Sequence, residues 1–122
     1  MVVDYAVVHL AVMAKVRVTI LGEHVERVWG HIHARPCLWP NAVVLFHKKR
    51  KESVAIKSDS GSLQLTRSLV AVPCIASLMI EALLHDANGN LIVNETSFFR
   101  AYPNGTFYTT FGTVKFEVQW SE

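Results

Sequence analysis

The chain has 122 residues, 51% of them apolar and 18% charged, with a formal net charge of +2. That size and balance exclude a disordered chain and fit one domain, residues 1–122, with a core of its own. A charge of +2 also excludes bulk electrostatics as a reason to bind nucleic acid, so any basic role has to rest on a local patch.

Residues 2–13 are almost continuously apolar and read as a strand covered on both faces or a short helix, with the β-branched valines favouring the strand. Asp4, His9, Lys15 and Arg17 interrupt the run, which excludes a membrane span. No basic n-region or cleavage pattern precedes it, so no signal peptide is expected. The expected location is cytoplasmic, with a nuclear one as the alternative. Val16, Val18 and Ile20 alternate with Lys15, Arg17 and Thr19, the pattern of a half-buried strand.

Residues 27–35 form the next strand. Val28, Gly30, Ile32 and Ala34 share one face, and Trp29, His31, His33 and Arg35 share the other. Pro36 and Trp39-Pro40-Asn41 end it, because proline cannot donate to a ladder. Residues 42–47 and 53–58 read as short strands around the basic turn Lys48-Lys49-Arg50-Lys51. Asp59-Ser60-Gly61-Ser62 is another turn. Leu63 and Leu65 start a short strand, and residues 69–72 form one more before Pro73.

Residues 76–101 hold the hairpin expected at the middle of the fold. Ala76, Leu78, Ile80, Ala82 and Leu84 fall on one parity, with Ser77, Glu81 and His85 on the other. Asp86-Ala87-Asn88-Gly89-Asn90 supplies the turn, since Asn and Gly tolerate positive φ. Leu91, Val93 and then Phe98 and Phe99 begin the return strand. After the turn at Tyr102-Pro103-Asn104-Gly105 the chain finishes with residues 106–120, where Val114, Phe116, Val118 and Trp120 alternate with Lys115, Glu117 and Gln119. No stretch has a capped 3.6-residue period, and turns recur at the spacing of an all-β protein. The expected fold is an antiparallel β-sandwich of about eight strands.

Several groupings carry chemistry. His31 and His33, two apart on a strand, point to the same side, which is ligand geometry for zinc or another divalent metal. A third ligand would come from His47, His85 or Cys37. The plainer alternative is a solvated face, and no cofactor or metal is expected. That same face of Trp29, His31, His33 and Arg35 can anchor a partner or stack a sugar or base, although burial of Trp29 is the favoured expectation. Lys48, Lys49, Arg50 and Lys51 form a basic loop able to meet phosphates of nucleic acid or an anionic lipid, or to guard a hairpin tip against aggregation. Asp86–Asn90 lacks the closing glutamate of a calcium loop and reads as a turn. Asn94-Glu95-Thr96 and Asn104-Gly105-Thr106 fit the glycosylation pattern, without a leader to deliver them. Cys37 and Cys74 are expected to be free, buried thiols, with a disulfide as the alternative. A nucleophile built from either cysteine with a histidine and Asp59 or Asp86 has no local signature.

Val28-Trp29-Gly30-His31-Ile32-His33-Ala34-Arg35 resembles a strand motif (hydrophobic, aromatic, Gly, x, Ile, x, x, Arg) of an uncharacterised plant β-domain family. Leu63-Gln64-Leu65-Thr66, Val70-Ala71-Val72 and Ile80-Glu81-Ala82-Leu83-Leu84 are similar to that family's second half. The family is expanded in grasses and occurs alone or joined to ribosome-inactivating N-glycosidase domains, as in jasmonate-induced proteins. The chain departs from the family pattern at Pro36 and at Arg67-Ser68. The resemblance implies an accessory β-sandwich in a defence or stress context and transfers no active site. Glu81 has Leu84 three residues on, where the glycosidase signature carries an arginine on a helix, so that activity is expected to be absent.

Together these readings point to a non-catalytic binding module. The apolar excess suggests that it self-associates or packs on a protein partner. Its contacts are expected at the Trp29–Arg35 face and the 48–51 loop. The alternatives are a carbohydrate-binding, lectin-like domain and a small metal-dependent hydrolase using His31 and His33.

Overall fold

The computed structural model describes residues 11–22, 25–37, 39–57 and 60–122. Most of the apolar stretch predicted over residues 2–13 lies outside these, as does Asp59 of the predicted turn. Among the described residues there are nine strands, and every pairing is antiparallel. They are β1 (Ala11–Ile20), β2 (Arg27–Pro36), β3 (Val43–Lys48), β4 (Val54–Ala55), β5 (Leu69–Pro73), β6 (Ser77–Asp86), β7 (Leu91–Arg100), β8 (Gly105–Phe111) and β9 (Val114–Ser121). One sheet has the order β5-β1-β9-β8. The other has the order β3-β2-β6-β7, with β4 also pairing with β2. The expected sandwich is therefore what the chain forms. Among the described residues, no helix is long and apolar enough to cross a membrane.

Period-two alternation builds the core. Val12, Ala14, Val16, Val18 and Ile20 of β1 and Val114, Phe116, Val118 and Trp120 of β9 face inward from one sheet. Val28, Ile32 and Ala34 of β2 and Leu78, Ile80, Ala82 and Leu84 of β6 meet them from the other. Each fully buried branched or aromatic side chain of this kind stabilises the fold by about 1.5–3 kcal/mol. Gly30 sits among them at φ 132°, with the Leu83 carbonyl where a Cβ would go. Only glycine lets the β2 and β6 backbones approach this closely.

The return strand buries only part of its apolar set, and three sequence expectations need correction. Leu91 and Phe98 are exposed, at 58% and 62%. A bulge between Leu84 and His85 sets Leu91 opposite the outward His85, and Phe98 lies opposite the outward Met79. Val93, Ser97 and Phe99 take the buried places of β7. The strand expected at Leu63 and Leu65 is reduced to a bridge between Ser62 and Thr19. There Gly61 O accepts from Ile20 N at 2.8 Å, and Leu63 N donates to Val18 O at 2.9 Å, which continues the edge of β1 and buries Leu63. The strand expected over 53–58 shrinks to Val54–Ala55. The terminal run splits at Gly112 (φ 58°) into the β8–β9 hairpin.

Candidate functional site

The outward face of the five-stranded sheet gathers the polar residues that alternate with its core. Register fixes the grid: Trp29 lies opposite His85, His31 opposite Leu83, His33 opposite Glu81, and Arg35 opposite Met79. On the other side of β2, His31 lies opposite His47 and His33 opposite Val44. On β7, Asn94, Thr96, Phe98 and Arg100 lie opposite Leu83, Glu81, Met79 and Ser77. Four histidines from three strands thus share one face. Sequence spacing grouped only His31 and His33, because the other two arrive through strand pairing.

At one end, the His85 ring stacks on the Trp29 indole with centroids 4.4 Å apart, and Trp29 Nε1 donates to Asp86 O at 2.7 Å. The expected burial of Trp29 is half met, since it is neither covered by the second sheet nor fully open. In the middle, His31 and His33 stack at 4.8 Å, and His47 stands edge-on to His31 at 6.4 Å. Desolvation holds His31 below the ordinary histidine range. The neighbouring His33 and His47 add to this, and Glu81 pulls the other way. At the far end, Arg35 Nη1 donates to Trp39 O at 3.1 Å, and Arg35 Nε lies 3.9 Å from Glu81 Oε1. Arg35, Cys37, Trp39, Pro40, Met79 and Phe98 line a shallow groove of ≈ 420 Å³. Trp39 is 49% exposed there.

Among the described residues, no group of three or more His, Cys, Asp or Glu is placed to hold a metal ion. Of the third ligands considered, His85 is stacked on Trp29 and Cys37 lies beyond Arg35 in the groove. The cysteines are free, but not buried as expected: Cys37 is half-buried at the end of β2, and Cys74 is exposed in the turn after β5. The turn residues leave them there because each follows a proline that ends its strand. The Asp86 carboxylate is occupied by its own turn. It accepts from Asn88 N and Asn90 N at 2.9 Å each, and this holds it below the usual carboxylate range.

The basic loop is only partly free. Arg50 Nε donates to Ala87 O at 3.4 Å, and the guanidinium packs against Gly89 of the β6–β7 turn. Glu52 Oε1 accepts from Lys49 N at 3.0 Å, which puts a carboxylate beside Lys48, Lys49 and Lys51. Arg50, although exposed, therefore also ties the loop to the β6–β7 turn. Of the loop's basic residues, Lys49 and Lys51 are exposed beside it and Lys48 is half-buried.

A family model described as a domain of unknown function (DUF6598) matches residues 1–120. The chain belongs to this family. Comparison with curated proteins and with solved structures returns no match. The DUF6598 match spans both sheets, so the outer face and the basic loop are parts of one family domain.

Proposed function

We propose that this DUF6598 domain is a non-catalytic binding module that uses the outward face of its five-stranded sheet to self-associate or to hold a partner. One observation carries the reading. A continuous face runs from the Trp29–His85 stack through the histidines to Arg35, Met79 and the exposed Phe98. Apolar and aromatic side chains left open beside polar ones are the composition of a contact surface. The sequence resemblance to a plant β-domain joined to ribosome-inactivating proteins supports a defence- or stress-associated accessory role. A lectin-like reading stands second, favoured by the aromatic rings of Trp39 and Phe98 among the residues that line the groove with Arg35.

The test is size exclusion with light scattering, then a pull-down from source tissue, with wild type and Phe98→Ser in parallel. Loss of the oligomer or the captured partner in Phe98→Ser, with circular dichroism unchanged, supports the face. Identical behaviour of the two proteins would overturn it.

A further inference from the structure

Among the described residues, each sheet ends in strands that pair with another strand on one side only, and three of these ends are guarded. β5 has five residues and stops at Pro73. β3 ends in Lys48, and its Leu45 O accepts from Thr66 N and Arg67 N at 2.8 and 3.4 Å. β7 carries Glu95 and Arg100, both exposed. Charges, prolines and covering loops of this kind keep a sheet edge from recruiting another strand. β8 has none of them. Its sequence Gly-Thr-Phe-Tyr-Thr-Thr-Phe holds no charge and no proline, and its one partner strand is β9. Alternate residues of such an edge turn their N–H and C=O away from the sheet. Phe107 has the core-facing parity of β8, opposite the buried Val118, yet it is 38% exposed and stacks on Tyr102 at 4.8 Å. On the outward parity Tyr108 is exposed, with Lys115 Nζ 4.3 Å from its ring centre. Open backbone and open aromatic rings lie together here, and an incoming extended strand covers both.

Symmetry says which strand fits. A second copy meets this edge through a two-fold axis, so β8 has to complement itself in reverse. With the axis at Tyr108, Thr106 lies opposite Thr110, Phe107 opposite Thr109, and Gly105 opposite Phe111. Thr–Thr and aromatic–β-branched neighbours are favourable cross-strand pairs, an aromatic ring covers a glycine, and no like charges meet. A foreign peptide requires no such self-match, and β8 carries no charge to select one. We propose that β8 is the interface of a homodimer, pairing antiparallel with β8 of a second copy and joining two four-stranded sheets into one of eight strands. The axis stands perpendicular to that sheet, so both five-stranded outer faces lie on one side of the dimer and are left to a partner. Two faces on one assembly raise avidity for a paired or repeated partner.

The test is size exclusion with light scattering on the full chain across a dilution series, with hydrogen exchange on the same samples. Wild type is expected to be a dimer that dissociates on dilution, with β8 amides better protected when concentrated and β5 amides unchanged. Thr106→Glu/Thr110→Glu brings like charges together across the axis and is expected to weaken the dimer at least about tenfold. Thr106→Lys/Thr110→Glu differs only in the sign at 106, beside the neutral Gln119, and sets opposite charges across the same axis. It is expected to dimerise close to wild type. Both variants place a glutamate opposite Lys115 of their own β9, and circular dichroism checks their folds. Phe98→Ser, on the other sheet, is expected to leave the dimer intact. A wild type that is monomeric at every concentration, β8 protection that ignores dilution, equal dimer affinity in the two double variants, or a dimer lost in Phe98→Ser would each overturn the proposal. The outer-face reading is judged apart from this, by whether Phe98→Ser loses its captured partner.

Discussion

Gly30 of β2 lies directly against the carbonyl of Leu83 of β6, in space that no side chain can share. Alanine there meets two penalties, a positive φ of 132° that L-residues avoid and an oxygen at its Cβ. Gly30→Ala is expected to cost about 3 kcal/mol or more, because relief requires prising the two central strands apart. Urea denaturation reads this as a large drop in midpoint.

Trp29 ties β2 to the β6–β7 turn through Nε1 and Asp86 O. Asp86 O also accepts from Gly89 N at 3.1 Å, so it is not orphaned when the indole is removed. Trp29→Phe is therefore expected to cost about 1 kcal/mol. His85→Ala uncovers the indole instead. Its expected signature is a red-shifted tryptophan emission with little change in circular dichroism.

His31 makes stability depend on pH. Its folded value lies below 6.5, chiefly through desolvation and then His33 and His47. The unfolded chain thus binds this proton more readily than the native one. Stability is highest above 6.5 and falls as pH drops from there through the folded value. His31→Gln is expected to flatten that part of a melting-temperature profile.

Asp86 acts in the opposite range. Its carboxylate is stabilised first by the Asn90 amide, and its folded value lies below 3.8. Its contribution is present above 3.8 and is lost as pH falls through the folded value. The difference in melting temperature between wild type and Asp86→Ala is expected to be full at neutral pH and to close in strong acid.

Arg50 and Lys51 are neighbours with different duties. Arg50→Ser removes the link to Ala87 O and the packing on Gly89, and is expected to cost about 0.5–1 kcal/mol. Lys51→Ser has no such link to break and is expected to leave the unfolding midpoint unchanged.

The sandwich was legible because β1, β2, β6 and β9 alternate so strictly that one parity supplies the core. The reading weakened wherever a local device broke the count of two. The bulge at Leu84/His85 turned Leu91 outward, and Gly112 cut one apparent strand into a hairpin. Spacing grouped Trp29, His31, His33 and Arg35 correctly, since they share a strand. It could not reach His47, His85 or Glu81, whose place beside them depends on which strands pair. Nor could it show that Arg50 is engaged, because its acceptor lies 37 positions away.

Finally, β1 is clamped between β5 and β9, with Ala14 opposite Trp120. During synthesis from the N-terminus, that strand emerges long before either neighbour exists. Its valines stay open to chance encounters until β9 (Val114–Ser121) has also been made. Production of this domain should therefore be unusually sensitive to translation speed and to chaperone supply, and clipping β9 should give inclusion bodies instead of a smaller folded product.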